Sequence, residues 1–197
     1  MSKRNWPDRK EAEQILKEAE PLNPGPWVNH CRVAAECAEK IAAACGDMDP
    51  EKAYVLGLLH DIGRRFGVKH LGHVYDGYVY MMKLGYPDVA KICLTHSFST
   101  QNIHEYIGRF DIAEEQQKVL EEALVICEYD DYDRLIQLCD SIAGAEGVMT
   151  IEDRMGDVKR RYGSYPQEKW DKNLELKKYF EDKIGKNIDQ CFISKTV

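Results

Sequence analysis

Hydrophobic and polar positions along the chain form a series of helical patterns separated by proline and glycine breaks. Asp8 and Glu11 have capping-box spacing, and Ala12, Ile15, Leu16 and Ala19 follow three and four residues apart, which predicts an amphipathic first helix. The stretch Pro21 to Pro26 ends it. A second helix is predicted from near Trp27, with Val33, Ala34, Cys37, Ala38 and Ile41 on its apolar stripe and Gly46 as its stop. Asp49, Pro50 and Glu51 then read as a third start: a side-chain cap, a first-turn proline and an acid at the positive end of the dipole. After Tyr54 this helix has no polar face, which predicts burial on all sides up to His60-Asp61-Ile62-Gly63.

The helical pattern resumes from His70 to Leu84, stops at Gly85, and reopens at Pro87-Asp88 to run to His96. Ser97 to Phe110 is polar and irregular, and Ala113 to Cys127 is a helix with acids at its start. The acidic run Glu128 to Asp133 lacks the glycine and terminal glutamate of a calcium loop, so a solvated helix junction is expected there. Leu135, Ile136, Leu138, Cys139 and Ile142 make the next helix apolar around Asp140, and two more helices follow Thr150. The last carries Trp170, Leu174, Leu176, Tyr179, Phe180 and Ile184 toward one side, with Lys177 and Lys178 interrupting them. There is no strand alternation of useful length, no internal repeat and no low-complexity linker. The expected architecture is an all-α, single-domain irregular helical bundle over residues 1–197. Its core is expected at about 27–143, with the N-terminal helix and the C-terminal helices packed on it.

Composition narrows the function classes. A chain of 197 residues with 44% hydrophobic and 31% charged content is that of a soluble globular protein. A net charge of -7 argues against general nucleic-acid binding. With no leader and no apolar run long enough to cross a bilayer, no membrane partner and a cytoplasmic location are expected. The seven cysteines are odd in number and form no CxxC; Cys31, Cys37, Cys93, Cys127 and Cys139 sit in helical patterns as small core hydrophobes of a reducing compartment.

Candidate chemistry lies where polar residues interrupt apolar runs: His30, His60 with Asp61, His73, His96 and Asp140. Each alone is explained by a satisfied core residue, and His60-Asp61 by a buried hydrogen bond that only fixes the core. Together they would be satisfied at once by a shared metal site, since buried charges and imidazoles each need a partner. Nitrogen and oxygen ligands side by side suit a borderline or hard divalent cation.

The order His, His-Asp, His, His, Asp resembles the HD superfamily of metal-dependent phosphohydrolases. Gly57 to Gly63 is similar to that family's signature, with Arg64 where many members have lysine, and the resemblance spans roughly Trp27 to Ala143. It implies that His30, His60, Asp61 and Asp140 bind a first metal, and that His73 and His96 supply a second bridged by Asp61. His70 shares a helical face with His73, which is preferred for its spacing to Gly77. The set is similar to two-metal HD enzymes, including the dinucleoside tetraphosphatases. Ser97 to Asp133, however, separates His96 from the last ligand by much more than in those enzymes, so substrate identity does not carry over.

The implied activity is hydrolysis of a phosphoester or phosphoanhydride of a nucleotide or related small phosphorylated substrate by metal-activated water. Asp61 and Arg64 would be catalytic. Arg64, Arg65 and Lys69 would bind substrate phosphate, Arg through its planar fork; a solvated loop explains Arg65 and Lys69 equally well. Tyr75, Tyr78 and Phe98 are placed to stack on a base, or simply to pack. His104 is expected to be exposed. The implied cofactor is one or two divalent ions: iron, manganese, cobalt, zinc or magnesium. A homodimer is compatible with the sequence. Two rivals remain, a di-iron oxygenase of HD type and a non-catalytic nucleotide-binding HD module.

Overall fold

The computed structural model describes residues 4–192. Among them are nine α-helices and no β-strand, only an isolated bridge between Ala143 and Val148. The all-α expectation holds.

The organising element is the third helix, α3 (Pro50–Leu59), where every residue from Ala53 to Leu59 is buried. It starts as its sequence dictates: the Asp49 carboxylate accepts hydrogen bonds from the backbone N–H groups of Glu51 and Lys52, at 2.9 and 3.2 Å. Two earlier helices flank it. The first, α1 (Arg9–Ala19), buries Ala12, Ile15, Leu16 and Ala19, the stripe its spacing predicts. The second, α2 (Trp27–Cys45), presses so close that a Cβ on Gly57 would lie 2.9 Å from the Ala35 Cα. Burying apolar stripes at about 25 cal/mol per Å² drives this three-helix contact.

The hairpin of α4 (Gly72–Leu84) and α5 (Pro87–Thr95) turns at Gly85, whose φ of 80° suits glycine. Behind it, α6 (Glu114–Ile126) closes a second apolar cluster made of Leu71, Val74, Leu94, Phe98, Ile103, Leu120 and Leu124. Phe98 is fully buried in that cluster, which assigns it to packing rather than stacking on a base; Tyr75 and Tyr78 pack against its edge. Along the chain, α7 (Asp131–Asp140), α8 (Ile151–Tyr162) and α9 (Gln167–Ile184) complete the bundle. The main core joins residues of α1 to α3, α5 and α7 with Leu176 and Phe180 of α9. Leu174 and Tyr179, expected on the apolar side of α9, are exposed; Asn173, Leu176 and Phe180 are its buried positions.

The acidic run is a helix start, with Asp130 and Asp133 forming a capping box, but it is not wholly solvated. Asp133 is fully buried, accepting from the Thr95 hydroxyl at 2.7 Å and pairing with Lys91 at 2.6 Å. That lock fixes α7 against α5, helped by Gln137 donating to the Thr95 carbonyl at 2.9 Å. The seven cysteines are unpaired. No helix among the described residues is long and apolar enough to cross a membrane.

Candidate metal centre

The six candidate ligands sit at helix ends. His30 and His73 are in the first turns of α2 and α4, His60 and His96 directly follow α3 and α5, Asp61 comes next, and Asp140 closes α7. Five helices thereby point at one place. Backbone proximity makes this possible: a Cβ on Gly63 would sit 1.9 Å from the His73 carbonyl oxygen and 2.5 Å from the Gly77 nitrogen, so only glycine lets the turn after α3 lie against α4.

The side chains converge through their Nε2 and carboxylate atoms. His30 Nε2 lies 3.2 Å from His60 Nε2 and 3.0 Å from Asp140 Oδ1, and His60 Nε2 lies 3.8 Å from the same oxygen. Asp61 Oδ1 lies 3.0 Å from His73 Nε2 and 3.5 Å from His96 Nε2, which are 3.4 Å from each other. Two groups emerge, His30 with His60 and Asp61, and Asp61 with His73 and His96, sharing Asp61. Asp140 adds a second carboxylate to the first group.

Every ring is oriented the same way. Nδ1–H donates to a backbone carbonyl in all four: His30 to Ala143 at 3.0 Å, His60 to Gly57 at 2.7 Å, His73 to His70, and His96 to Cys93 at 2.9 Å. That fixes the tautomer and leaves each Nε2 with a lone pair facing its neighbours, the arrangement of metal-binding histidines. Facing lone pairs repel, and Asp61 Oδ1 is buried with no hydrogen-bond donor. A cation among these atoms satisfies all of them, so the donor set fits a divalent metal, and imidazole with carboxylate suits iron, manganese, cobalt or zinc.

The charges agree. Burial raises the Asp61 carboxyl, but the Arg64 guanidinium and the His73 imidazole more than offset it and hold it well below the usual range. Asp140 is likewise held low against its burial by its contact with His30. Burial pushes His60 down to about 4 and lowers His73. At neutral pH the carboxylates are therefore charged and these imidazoles neutral, the forms that bind metal.

The centre forms the floor of a cavity of about 540 Å³. Arg64 enters it: its Nε is held by Asp61 Oδ2, and its terminal nitrogens have no hydrogen-bond partner among the described residues. Ser97, Ser99, Tyr106 and Ile107 of the segment after α5 line it, together with Arg154 and Arg161 of α8 and Lys169 of α9, whose Nζ reaches the Ser97 carbonyl at 2.6 Å. Burial draws the Lys169 ammonium below its ordinary value, with Glu105 and Asp140 opposing. Arg65 and Lys69 do not line the cavity. Arg65 donates to the Tyr80 hydroxyl with its guanidinium 4.4 Å from that ring's centre, and Lys69 pairs with Asp76. The His70 ring points away from the centre toward Arg109, 3.0 Å away, and His104 is exposed. The α8 and α9 cations escape sequence reasoning, because a basic residue on a polar helix looks solvated until that helix folds over a site.

The scaffold is all-helical, with histidines and aspartates that could hold a metal gathered at a cavity lined by cations. The sequence profile of the HD domain matches residues 27–142, more than half of the chain, and the chain belongs to that family. No curated protein and no solved structure matches it.

Proposed function

We propose that this protein is a metal-dependent phosphohydrolase that cleaves a phosphoester or phosphoanhydride of a nucleotide or related small phosphorylated molecule. The observation that carries the reading is the convergence of four histidine Nε2 atoms and two carboxylates at a cavity into which Arg64 projects. HD membership supports it, the family being associated with this chemistry.

His30, His60, Asp61, His73, His96 and Asp140 would hold the metal, with Asp61 common to both groups. When bound, a divalent ion supplies a water acidic enough to act as a nucleophile near neutral pH and polarises the phosphoryl oxygen. The chain supplies the rest. Asp61 fixes Arg64 through Nε, leaving the guanidinium fork to bind two phosphate oxygens in one plane. The Nδ1 tethers stop the imidazoles from rotating, so the ligand set is preorganised. Helices α8 and α9 narrow the cavity and reduce competing water around the bound phosphate.

The test is metal analysis of the protein as purified, followed by a phosphate-release screen over nucleotides and small phosphoesters without oxygen. Metal near or above one per chain with release abolished by a chelator is the expected result. Release from no substrate, or turnover only when dioxygen is admitted, would reject the reading.

A further inference from the structure

The cavity holds more positive charge than one phosphate at the metal centre uses. Of its charged lining residues, Asp61 and Asp140 belong to the metal centre and Arg64 adjoins it. The part of the lining contributed by α8 and α9 then carries Arg154, Arg161 and Lys169 against a single acid, Asp157. These four residues lie beyond the segment matched to the HD domain, so the family does not account for them.

Their hydrogen bonds are incomplete. Lys169 Nζ donates to the Ser97 carbonyl at 2.6 Å and has no carboxylate within ion-pair distance among the described residues, leaving two ammonium protons without a protein acceptor. Arg154 Nε is buried with no acceptor, and its Nη1 lies 3.6 Å from Asp157 Oδ2. Arg161 shares the same carboxylate through Nε at 3.0 Å and Nη2 at 2.9 Å. Asp157 also lies 3.6 Å from Arg160 Nη2, so one carboxylate serves three guanidiniums, while Lys169 lines the same cavity with no carboxylate of its own; the cavity lining can accept an anion, because buried cations such as Arg154 and Lys169 need charged acceptors. These cations line the same cavity as the metal centre.

We infer that the substrate carries a second phosphate, bound by Lys169, Arg154 and Arg161 while the scissile phosphate sits at the metal centre beside Arg64. The inference deepens the phosphohydrolase reading and rests on it for the first phosphate. It makes α8 and α9 the part of the chain that selects di- or bisphosphorylated molecules over monophosphates.

The test compares adenosine 5′-monophosphate, adenosine 5′-diphosphate and adenosine 3′,5′-bisphosphate on the metal-loaded protein. Dissociation constants are measured by calorimetry, or KM where a probe is turned over, with metal content checked after each titration. The wild type is expected to favour at least one doubly phosphorylated probe over the monophosphate by about tenfold or more, the scale of one charge-assisted hydrogen bond. Lys169→Met should bring that ratio close to one. Asp157→Asn, which frees Arg154 and Arg161 along with Arg160, should raise it, and misfolding cannot mimic that gain. Equal affinity for all three probes in the wild type, including no binding of any, overturns the inference. So does a Lys169→Met protein that weakens mono- and doubly phosphorylated probes by the same factor, since all the cations would then grip one phosphate. Phosphate release is recorded in parallel: a doubly phosphorylated preference with no release from any probe would reject the hydrolase reading and leave the second phosphate site standing.

Discussion

Replacing Gly63 with alanine tests whether the contact between the turn after α3 and α4 builds the centre. The added methyl carbon would stand 1.9 Å from the His73 carbonyl oxygen, 2.5 Å from the Gly77 nitrogen and 2.9 Å from the His73 carbonyl carbon. All three are backbone atoms, so no side chain can swing aside. A comfortable contact needs about 3.5 Å, so turn and helix must separate by roughly 1.5 Å. His73 Nε2, now 3.0 Å from Asp61 Oδ1, would move with its helix. Metal ligation tolerates only about 0.2 Å of such error, so the group of Asp61, His73 and His96 should fail while His30, His60 and Asp140 persist. The overpacking should cost about 3 kcal/mol, the upper part of the usual range, since backbone must yield. For a chain of this size that lowers Tm by roughly 6 to 12 °C. Melting curves with and without chelator, beside a metal count on wild type and Gly63→Ala prepared alike, measure both effects. A variant with the wild-type metal count and a Tm within about 2 °C of wild type would refute the reasoning.

Four further outcomes are expected. Asp61→Ala should remove metal and activity together and destabilise the fold by about 3 to 5 kcal/mol, because Arg64 loses its buried partner; near-normal metal content would count against it. Arg64→Ala should keep the metal and lower kcat/KM about 10- to 100-fold on the best substrate found, the value of one or two charge-assisted bonds to phosphate; an unchanged kcat/KM would remove Arg64 from the binding site. His73→Ala should drop the count from two metals to one with a large fall in hydrolysis, and one metal in both proteins would reject a second site. Lastly, the metal-stripped protein should lose stability as pH falls from about 6.5 to 4. Burial lowers His60 from 6.5 to about 4, so across that window the unfolded ring takes a proton that the folded ring refuses. The loss at the bottom of the window is about 3 kcal/mol, visible in chelated melting curves, and a flat profile would contradict it.

What was legible in the sequence was what local periodicity records. The stripes of α1 and α2, the capped start of α3 and the glycine stop of α4 are properties of a few consecutive residues, and the structure has them where the pattern puts them. The six histidines and aspartates stood out because polar groups in apolar runs need partners, and the fold gathers them. Which cations face the cavity was not legible. Arg65 and Lys69 follow the signature directly, yet local partners, Tyr80 and Asp76, take them. Lys169 lies 108 positions beyond Asp61 in the chain and reaches the cavity only because α9 packs Leu176 and Phe180 into the core. Asp133 misleads for the same reason: an acid in an acidic run looks solvated until Thr95 and Lys91 arrive from another helix.

The Nδ1 tethers have a consequence for how the centre comes into being. His60 and His96 are the residues at which α3 and α5 end, and their rings donate to carbonyls of the last turn, at Gly57 and Cys93. Carbonyls at a helix terminus otherwise lack an intrahelical donor or must find one elsewhere. Finishing these two helices and aiming these two imidazoles are thus a single set of hydrogen bonds, formed whenever the helices form. His73 is tethered too, by Nδ1 to the carbonyl of His70 just before α4. Folding of the chain therefore delivers aimed imidazoles before any ion arrives. An ion held there would exchange for another without the helices unwinding, so the metal content of the protein would follow supply as much as the fold.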